Sequence, residues 1–284
     1  MGIAMLGTET ARAMKERLGK EAQDLKDKGI VPCLAIVRAG AREDDLSYER
    51  GAKKRMEMLG IETRVIELQE DIAQDCLEDA LRKANEDASV HGILLLRPLP
   101  EHLDEKPLEE IIDPRKDVDC MSAVNMAKVF AGDESGYAPC TAEAVIELLD
   151  SYGISLEGKK AVVVGRSMVV GRPLSMLLVK RNATVTICHT RTVDLEKVCR
   201  EAEILVAAAG KAKMVTEDMI GDGAVVVDVG IHADVSGGLC GDVDYEAAEK
   251  KASYISPVPR GVGSVTTSVL AKHVLKAARQ LNGI

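Results

Sequence analysis

Aromatic side chains are nearly missing from this chain, which has no tryptophan, one phenylalanine (Phe130) and five tyrosines in 284 residues. Proteins that bind single-stranded nucleic acid need rings on which bases stack. A net charge of −9 also repels a phosphate backbone. A nucleic-acid partner is therefore excluded, and the core must be built from Val, Ile, Leu, Ala and Met. Long apolar runs are lacking too. None approaches the ~20 residues of a membrane span, and the N-terminus has no signal-peptide core, so no membrane partner is expected. The seven cysteines, at positions 33, 76, 120, 140, 188, 199 and 240, include no C-x-x-C pair. That argues against a zinc site or a disulfide framework. Their odd number and apolar settings suit reduced, buried thiols, and the expectation is a cytoplasmic α/β protein without a metal.

The common dinucleotide fingerprint G-x-G-x-x-G is also absent. In its place stands Val162-Val163-Val164-Gly165-Arg166-Ser167-Met168-Val169-Val170-Gly171-Arg172-Pro173, with the second glycine six positions after the first. This reads as a buried strand, a glycine-bounded turn and a helix with proline in its first turn. Such a turn aims backbone N–H groups and a helix N-terminus at an anion, usually a cofactor phosphate.

Elsewhere the chain alternates strand and helix patterns. Helix periodicity over 8–29 ends at Lys28-Gly29. Strand 33–37, a polar loop 40–45, helix 47–59, strand 63–68, helix 76–86 and strand 90–96 follow. That βαβα rhythm implies a parallel sheet covered by helices. Residues 101–135, rich in Asp, Pro, Lys and Gly, read as a loop and connection, and Thr141 as the N-cap of a helix over 142–152. From Lys160 a second unit begins: strand 161–164, helix 173–182, strand 184–188, helix 194–201, strands 203–207 and 224–229. This is a Rossmann-like half. An amphipathic helix over 266–282 returns to the first unit. The expected architecture is thus two-domain α/β, with residues 1–138 and 266–284 in one domain and 139–265 in the other.

In NAD-binding units an acid about 20 residues past the glycines takes the ribose 2′-hydroxyl, whereas arginine accommodates a 2′-phosphate. Here the second strand runs into His189-Thr190-Arg191-Thr192, with no carboxylate. Arg191, Thr190 and Arg166 offer charge-assisted bonds to a phosphate instead, which favours NADP over NAD. Arg191 read alone would also suit a solvated loop, and the missing acid is the stronger half of the argument. Ala209-Gly210-Lys211 and Val229-Gly230-Ile231 each put glycine just past a strand's C-terminal end, the rim where ligands lie in open α/β sheets. Tight turns would use the same glycines.

Several segments together resemble the methylenetetrahydrofolate dehydrogenase/cyclohydrolase family. They are Ser47-Tyr48, Val90-His91-Gly92-Ile93-Leu94, Pro114–Asp119, Pro139-Cys140-Thr141, Val164–Ser167 with Val170-Gly171-x-Pro173, Cys188-His189, Asp228–Ile231, Gly241-Asp242-Val243 and Pro257-Val258-Pro259. The resemblance implies an N-terminal α/β folate domain, a Rossmann-like NADP-binding domain, a cleft between them, and pairing as a homodimer. It implies hydride transfer from 5,10-methylenetetrahydrofolate to the cofactor, then hydrolysis of the methenyl product to 10-formyltetrahydrofolate. Tyr48 would line the folate site and Asp119 would bind the pterin's amino-pyrimidine edge. Pro257, Val258, Pro259 and Gly261 would flank folate and nicotinamide. Gly165, Arg166, Ser167, Val170, Gly171, Pro173, His189, Thr190, Arg191, Gly210, Lys211, Gly230 and Ile231 would hold the cofactor.

The chain departs from that family's pattern at three places. The lysine usual four residues after the tyrosine is Ala52. Lys53 is rotated about 140° from Tyr48 around a helix, while Arg55 returns to the tyrosine's side but cannot act as a base. The usual glutamine is Leu96. Arg260 stands where glycine is more common, and Ser264-Val265 replaces Pro-Met. Hydride transfer mainly needs donor and acceptor aligned, whereas hydrolysis needs a water deprotonated and a proton returned. The expectation is a working dehydrogenase with weak or absent cyclohydrolase activity. The alternatives are that Lys53 or Arg55 fills the lysine's role, that another small substrate is oxidised, or that the protein binds a nucleotide without catalysis.

Overall fold

A computed structural model of the chain describes residues 1–234 and 237–284. The elements run β1 (Ile3–Ala4), α1 (Gly7–Asp27), β2 (Cys33–Ala39), α2 (Glu43–Leu59), β3 (Glu62–Leu68), α3 (Gln74–Glu86), β4 (Gly92–Leu95), α4 (Glu105–Ile111), α5 (Ala123–Ala131) and α6 (Cys140–Ser151). They continue with β5 (Lys160–Val164), α7 (Gly171–Lys180), β6 (Thr184–Cys188), α8 (Leu195–Arg200), β7 (Ile204–Ala207), β8 (Val225–Asp228), the short pair β9 (His232–Ala233) and β10 (Leu239–Cys240), α9 (Tyr245–Ala248), β11 (Tyr254–Ile255) and α10 (Thr266–Leu281).

The chain divides into two compact units, residues 13–140 with 267–284, and residues 1–12 with 141–266. The first contains a three-stranded parallel sheet in the order β3-β2-β4. Every residue of β2 is buried, as expected of a central parallel strand covered on both faces. Leu77 and Leu81 of α3 pack on this sheet without solvent exposure, together with Leu108 and Ile112. Helix α2 turns Asp45, Glu49, Ala52, Met56 and Leu59 inward, a spacing of three and four that makes one stripe. It ends at Gly60, whose φ of 67° places it in the left-handed region and whose N–H returns to Glu57 and Met56.

In the second unit the strand order is β1-β11-β8-β7-β5-β6, parallel throughout, around a core of Val, Leu, Ile and Ala. The order reverses after β5, with β6 on one side of it and β7 on the other, which is the switch-point layout of nucleotide-binding sheets.

Two expectations need correcting. The stretch 101–135 is not plain loop, because it carries α4, capped by Asp104 accepting Lys106 N–H at 3.0 Å, and α5, capped by Ser122 accepting Asn125 N–H at 3.3 Å. Helix α6 starts at Cys140, so Thr141 lies inside it instead of capping it. By backbone contacts the first twelve residues cluster with the second unit, where Ile3 and Ala4 pair with Tyr254 and Ile255.

Candidate active site

Asp119 is positioned by the run that precedes it. Lys116 is buried and donates from Nζ to the carbonyls of Asn85 at 2.7 Å and Asp87 at 2.8 Å, closing the end of α3. Asp117, also buried, accepts the N–H groups of Met121 and Ser122 at 2.7 and 2.8 Å and Asn125 Nδ2 at 2.9 Å. Ile93 of β4 donates to the Lys116 carbonyl at 2.7 Å, which locks this run beside the sheet. Asp119 emerges half-buried and accepts Cys140 N–H at 3.0 Å, so it supplies the capping acceptor that Thr141 does not. Burial pushes the Asp119 carboxyl above the usual carboxylate range, opposed by the Cys140 hydrogen bonds and more weakly by the charge of Arg97.

Tyr48 sits half-buried on α2. The next residue, Glu49, is buried and pairs with buried Arg38 of β2 at 2.8 Å. Arg38 also reaches the Gly40 carbonyl at 2.6 Å and Glu67 at 2.8 Å, so its whole fork is used. This cluster ties the helix that bears Tyr48 to the C-terminal end of the sheet. Ala52 has no exposed surface, and Leu96 is buried just past β4. Neither can accept or release a proton. Lys53 is exposed and lies 3.7 Å from Glu49, and it lines a shallow depression with Glu57 and Gly60–Thr63, off the tyrosine's face. Arg55 is half-buried, its Nε lacks a hydrogen-bond partner, and burial lowers its pKa.

In the other unit the first strand-to-helix turn is unusually close. Gly165 has φ 139°, and a side chain there would meet the Ala208 carbonyl at 2.1 Å. One at Gly171 would meet the Gly165 carbonyl at 2.2 Å. Only glycine permits this backbone approach. Ser167 Oγ accepts Val170 N–H at 3.1 Å and Gly171 N–H at 3.4 Å, while its carbonyl takes Arg172 N–H at 3.1 Å. Pro173 has no N–H and is buried. The first donors of α7 are therefore satisfied internally, contrary to the expectation that they face an anion. The polar groups left exposed at this turn are those of Arg166 and Ser167, beside exposed Met168 and Val169.

After β6, His189 N–H donates to Thr192 Oγ1 at 2.8 Å and His189 Nδ1 accepts Arg191 N–H at 3.1 Å. This tight turn leaves Thr190 and Arg191 exposed, with no carboxylate between 189 and 192. Exposed arginines and a glycine turn are the kind of groups that suit the phosphates of a dinucleotide, including one on the 2′ position.

Two residues given no role in the sequence reading organise the remaining loops. Asp242, fully buried, accepts the N–H groups of Ala209, Gly210 and Lys211 at 2.5, 2.9 and 3.0 Å, and pairs with His232 Nε2 at 2.7 Å. Asp228 accepts Gly230, Asp242 and Val243 N–H at 3.0, 2.9 and 2.9 Å, and burial raises its pKa to about 6. The amides of Gly210 and Lys211 are thereby committed to Asp242. In the sequence the two acids stood out only as members of the family-like segments Asp228–Ile231 and Gly241-Asp242-Val243, with no role attached.

Gly230 and Ile231 line a pocket of about 240 Å³ with Pro257, Val258, Pro259 and Gly261. The sequence-predicted residues of these two loops therefore converge.

Two sequence profiles account for most of the chain: the tetrahydrofolate dehydrogenase/cyclohydrolase catalytic domain over residues 5–119 and the NAD(P)-binding domain of the same family over 139–282. The chain belongs to this family. It is 55% identical over its full length to a bifunctional protein FolD from Alkaliphilus oremlandii, covering all of that protein, and 55% identical to one from Clostridioides difficile, covering 99% of this chain and 98% of the other. The solved structure of the Campylobacter jejuni bifunctional enzyme FolD superposes with a TM-score of 0.96 at 40% identity, covering 99% of both chains. A Trypanosoma brucei methylenetetrahydrofolate dehydrogenase-cyclohydrolase, solved with NADP and an inhibitor, superposes at 0.93 with 36% identity over 98% of each chain. Membership makes the unit that contains Gly165 and Arg191 an NAD(P)-binding domain and the unit that contains Tyr48 and Asp119 the catalytic domain.

Proposed function

We propose that this protein oxidises 5,10-methylenetetrahydrofolate to 5,10-methenyltetrahydrofolate with NADP in one-carbon metabolism, and that it hydrolyses the methenyl product slowly or not at all. One C–H bond of the methylene bridge breaks, and its electron pair leaves as hydride. The neighbouring nitrogen lone pair fills the vacancy to give the amidinium. NADP supplies the hydride acceptor when bound.

The chain's own residues bind and align. Tyr48 packs against the folate, held by the Glu49–Arg38 anchor. Asp119 takes the amino-pyrimidine edge, a donor array that suits a carboxylate. Arg166, Ser167, Thr190 and Arg191 take the phosphates, with arginine in place of an acid selecting the 2′-phosphate. Pro257, Val258, Pro259 and Gly261, with Gly230 and Ile231, flank the reacting ring.

Hydrolysis is a different demand, because general acid–base groups contribute roughly 10²–10⁴-fold in rate. The observation that carries this half of the proposal is that positions 52 and 96 hold buried Ala and Leu. Lys53 is engaged elsewhere and Arg55 stays protonated at any working pH.

The protein works in the cytosol as a homodimer. Its seven cysteines are free. β6 ends the six-stranded sheet with Thr184, Thr186 and Ile187 exposed, beside exposed Val179. An uncovered edge strand with apolar neighbours is a natural place for a second copy.

The test is an assay of purified protein with NADP and methylenetetrahydrofolate. The expected outcome is NADPH formed together with a persisting methenyl absorbance. NADP binding without turnover would refute the dehydrogenase, and rapid decay of the methenyl signal would refute the hydrolysis defect.

A further inference from the structure

Arg260 occupies a backbone position that suits glycine. Its φ is 82°, within the left-handed region. An L-residue with a β-carbon pays roughly 1–2 kcal/mol there. The surrounding loop dictates this conformation. The Arg260 carbonyl accepts Gly7 N–H at 2.9 Å, and a side chain on the next residue, Gly261, would meet the Pro257 carbonyl at 2.3 Å.

Nothing in the fold offsets that cost. The Arg260 side chain is exposed and takes part in no hydrogen bond or ion pair among the described residues. Yet it lines the pocket of about 240 Å³ with Gly230, Ile231, Pro257–Pro259 and Gly261, and it is the only cation there among the described residues. The one acid in that lining, Asp228, is buried and already bonded to three backbone N–H groups. A strained residue whose side chain serves no structural partner at a pocket rim points to a ligand. Arginine's planar fork selects a carboxylate or a phosphate.

We infer that Arg260 is a specificity-determining residue that binds an oxyanion of one of the enzyme's own ligands: a carboxylate of the folate's glutamyl tail or a phosphate of the dinucleotide. The inference rests on the folate dehydrogenase reading for the identity of those ligands. Its test does not require turnover.

Dissociation constants for NADP, tetrahydrofolate monoglutamate and tetrahydrofolate triglutamate are measured by titration for the wild type, R260G and R260K, with melting temperature recorded alongside. R260G removes the strain and is expected to fold and to melt a few degrees higher. It should weaken one ligand class about tenfold, as expected for loss of one charge-assisted hydrogen bond. R260K should recover part of that loss. Weakening confined to the folates and larger for the triglutamate identifies the carboxylate; weakening confined to NADP identifies the phosphate. Unchanged constants for all three ligands in R260G would overturn the inference. Failure of the wild type to oxidise methylenetetrahydrofolate would instead overturn the functional reading.

Discussion

Glu49 accepts a hydrogen bond from Arg38 Nε at 2.8 Å, with both side chains only 9% exposed. This pair joins the helix residue next to Tyr48 to the central strand. Removing one partner of a buried ion pair costs about 3–5 kcal/mol when the other charge is left uncompensated, and less here because Glu67 stays 2.8 Å from Arg38. E49A is therefore expected to lower unfolding stability by less than that amount, and E49Q by less still. In E49Q, still folded, the KM for folate should rise while the KM for NADP stays put. Urea unfolding with steady-state kinetics checks both.

The missing proton-handling pair gives a gain-of-function prediction. A52K/L96Q should accelerate methenyl hydrolysis by roughly 10²-fold, the lower range for a general acid–base group. Because Ala52 is completely buried, A52K alone places an ammonium group in a dry site and should destabilise by several kcal/mol. Stopped-flow decay of added methenyltetrahydrofolate measures the rate. No gain in a folded double variant would show that these positions do not account for slow hydrolysis.

Cofactor choice is expected to rest on Arg191. It is exposed on a turn set by His189 and Thr192, with no acid nearby in that turn. R191S should raise the KM for NADP about 10- to 100-fold, the range for losing a hydrogen bond to a charged group. The KM for NAD should change little. Equal effects on both cofactors would contradict a 2′-phosphate contact.

His91 contributes to the pH dependence of stability. It is 5% exposed, its Nδ1 accepts Cys33 N–H at 3.2 Å, and burial, with smaller contributions from Lys116 and Arg64, lowers its pKa. The folded state thus favours the neutral ring. Its contribution is fully present above the unfolded histidine pKa of about 6.5 and is lost as pH falls toward the lower folded value, at up to about 1.4 kcal/mol per pH unit. Asp228, with its carboxyl raised to about 6, works in the opposite direction over the same range, so the test is a difference: between pH 7 and 5, H91N should lose less melting temperature than the wild type. An identical slope in H91N would contradict this account.

Much of the fold was legible because parallel strands such as 33–39 and 160–164 are short apolar runs separated by amphipathic helices. Helices α4 and α5 were not, since seven and nine residues are too few to display a period against a background of Asp, Pro and Gly. Their caps, Asp104, Ser122 and Gly132, were visible signals that the loop-like composition outweighed. The start of α6 depended on an acceptor, Asp119, twenty-one positions upstream of Cys140, which no local rule finds. The cofactor turn was readable from Gly165 and Gly171, but the use of Ser167 as its internal acceptor was not. Arg38 and Glu49 lay unread because an isolated charge in a strand gives no hint of its partner on the next helix. The same holds for Asp228 and Asp242, fourteen residues apart and joined by Asp242 N–H to Asp228 Oδ1 at 2.9 Å.

The most direct measurement is a single turnover with methylenetetrahydrofolate deuterated at the methylene bridge, followed by mass analysis of the cofactor. We expect reduced NADP carrying one deuterium, formed in step with the methenyl absorbance, which then decays no faster than in buffer. Unlabelled or unreduced NADP, with both ligands shown by titration to bind, would contradict the assignment.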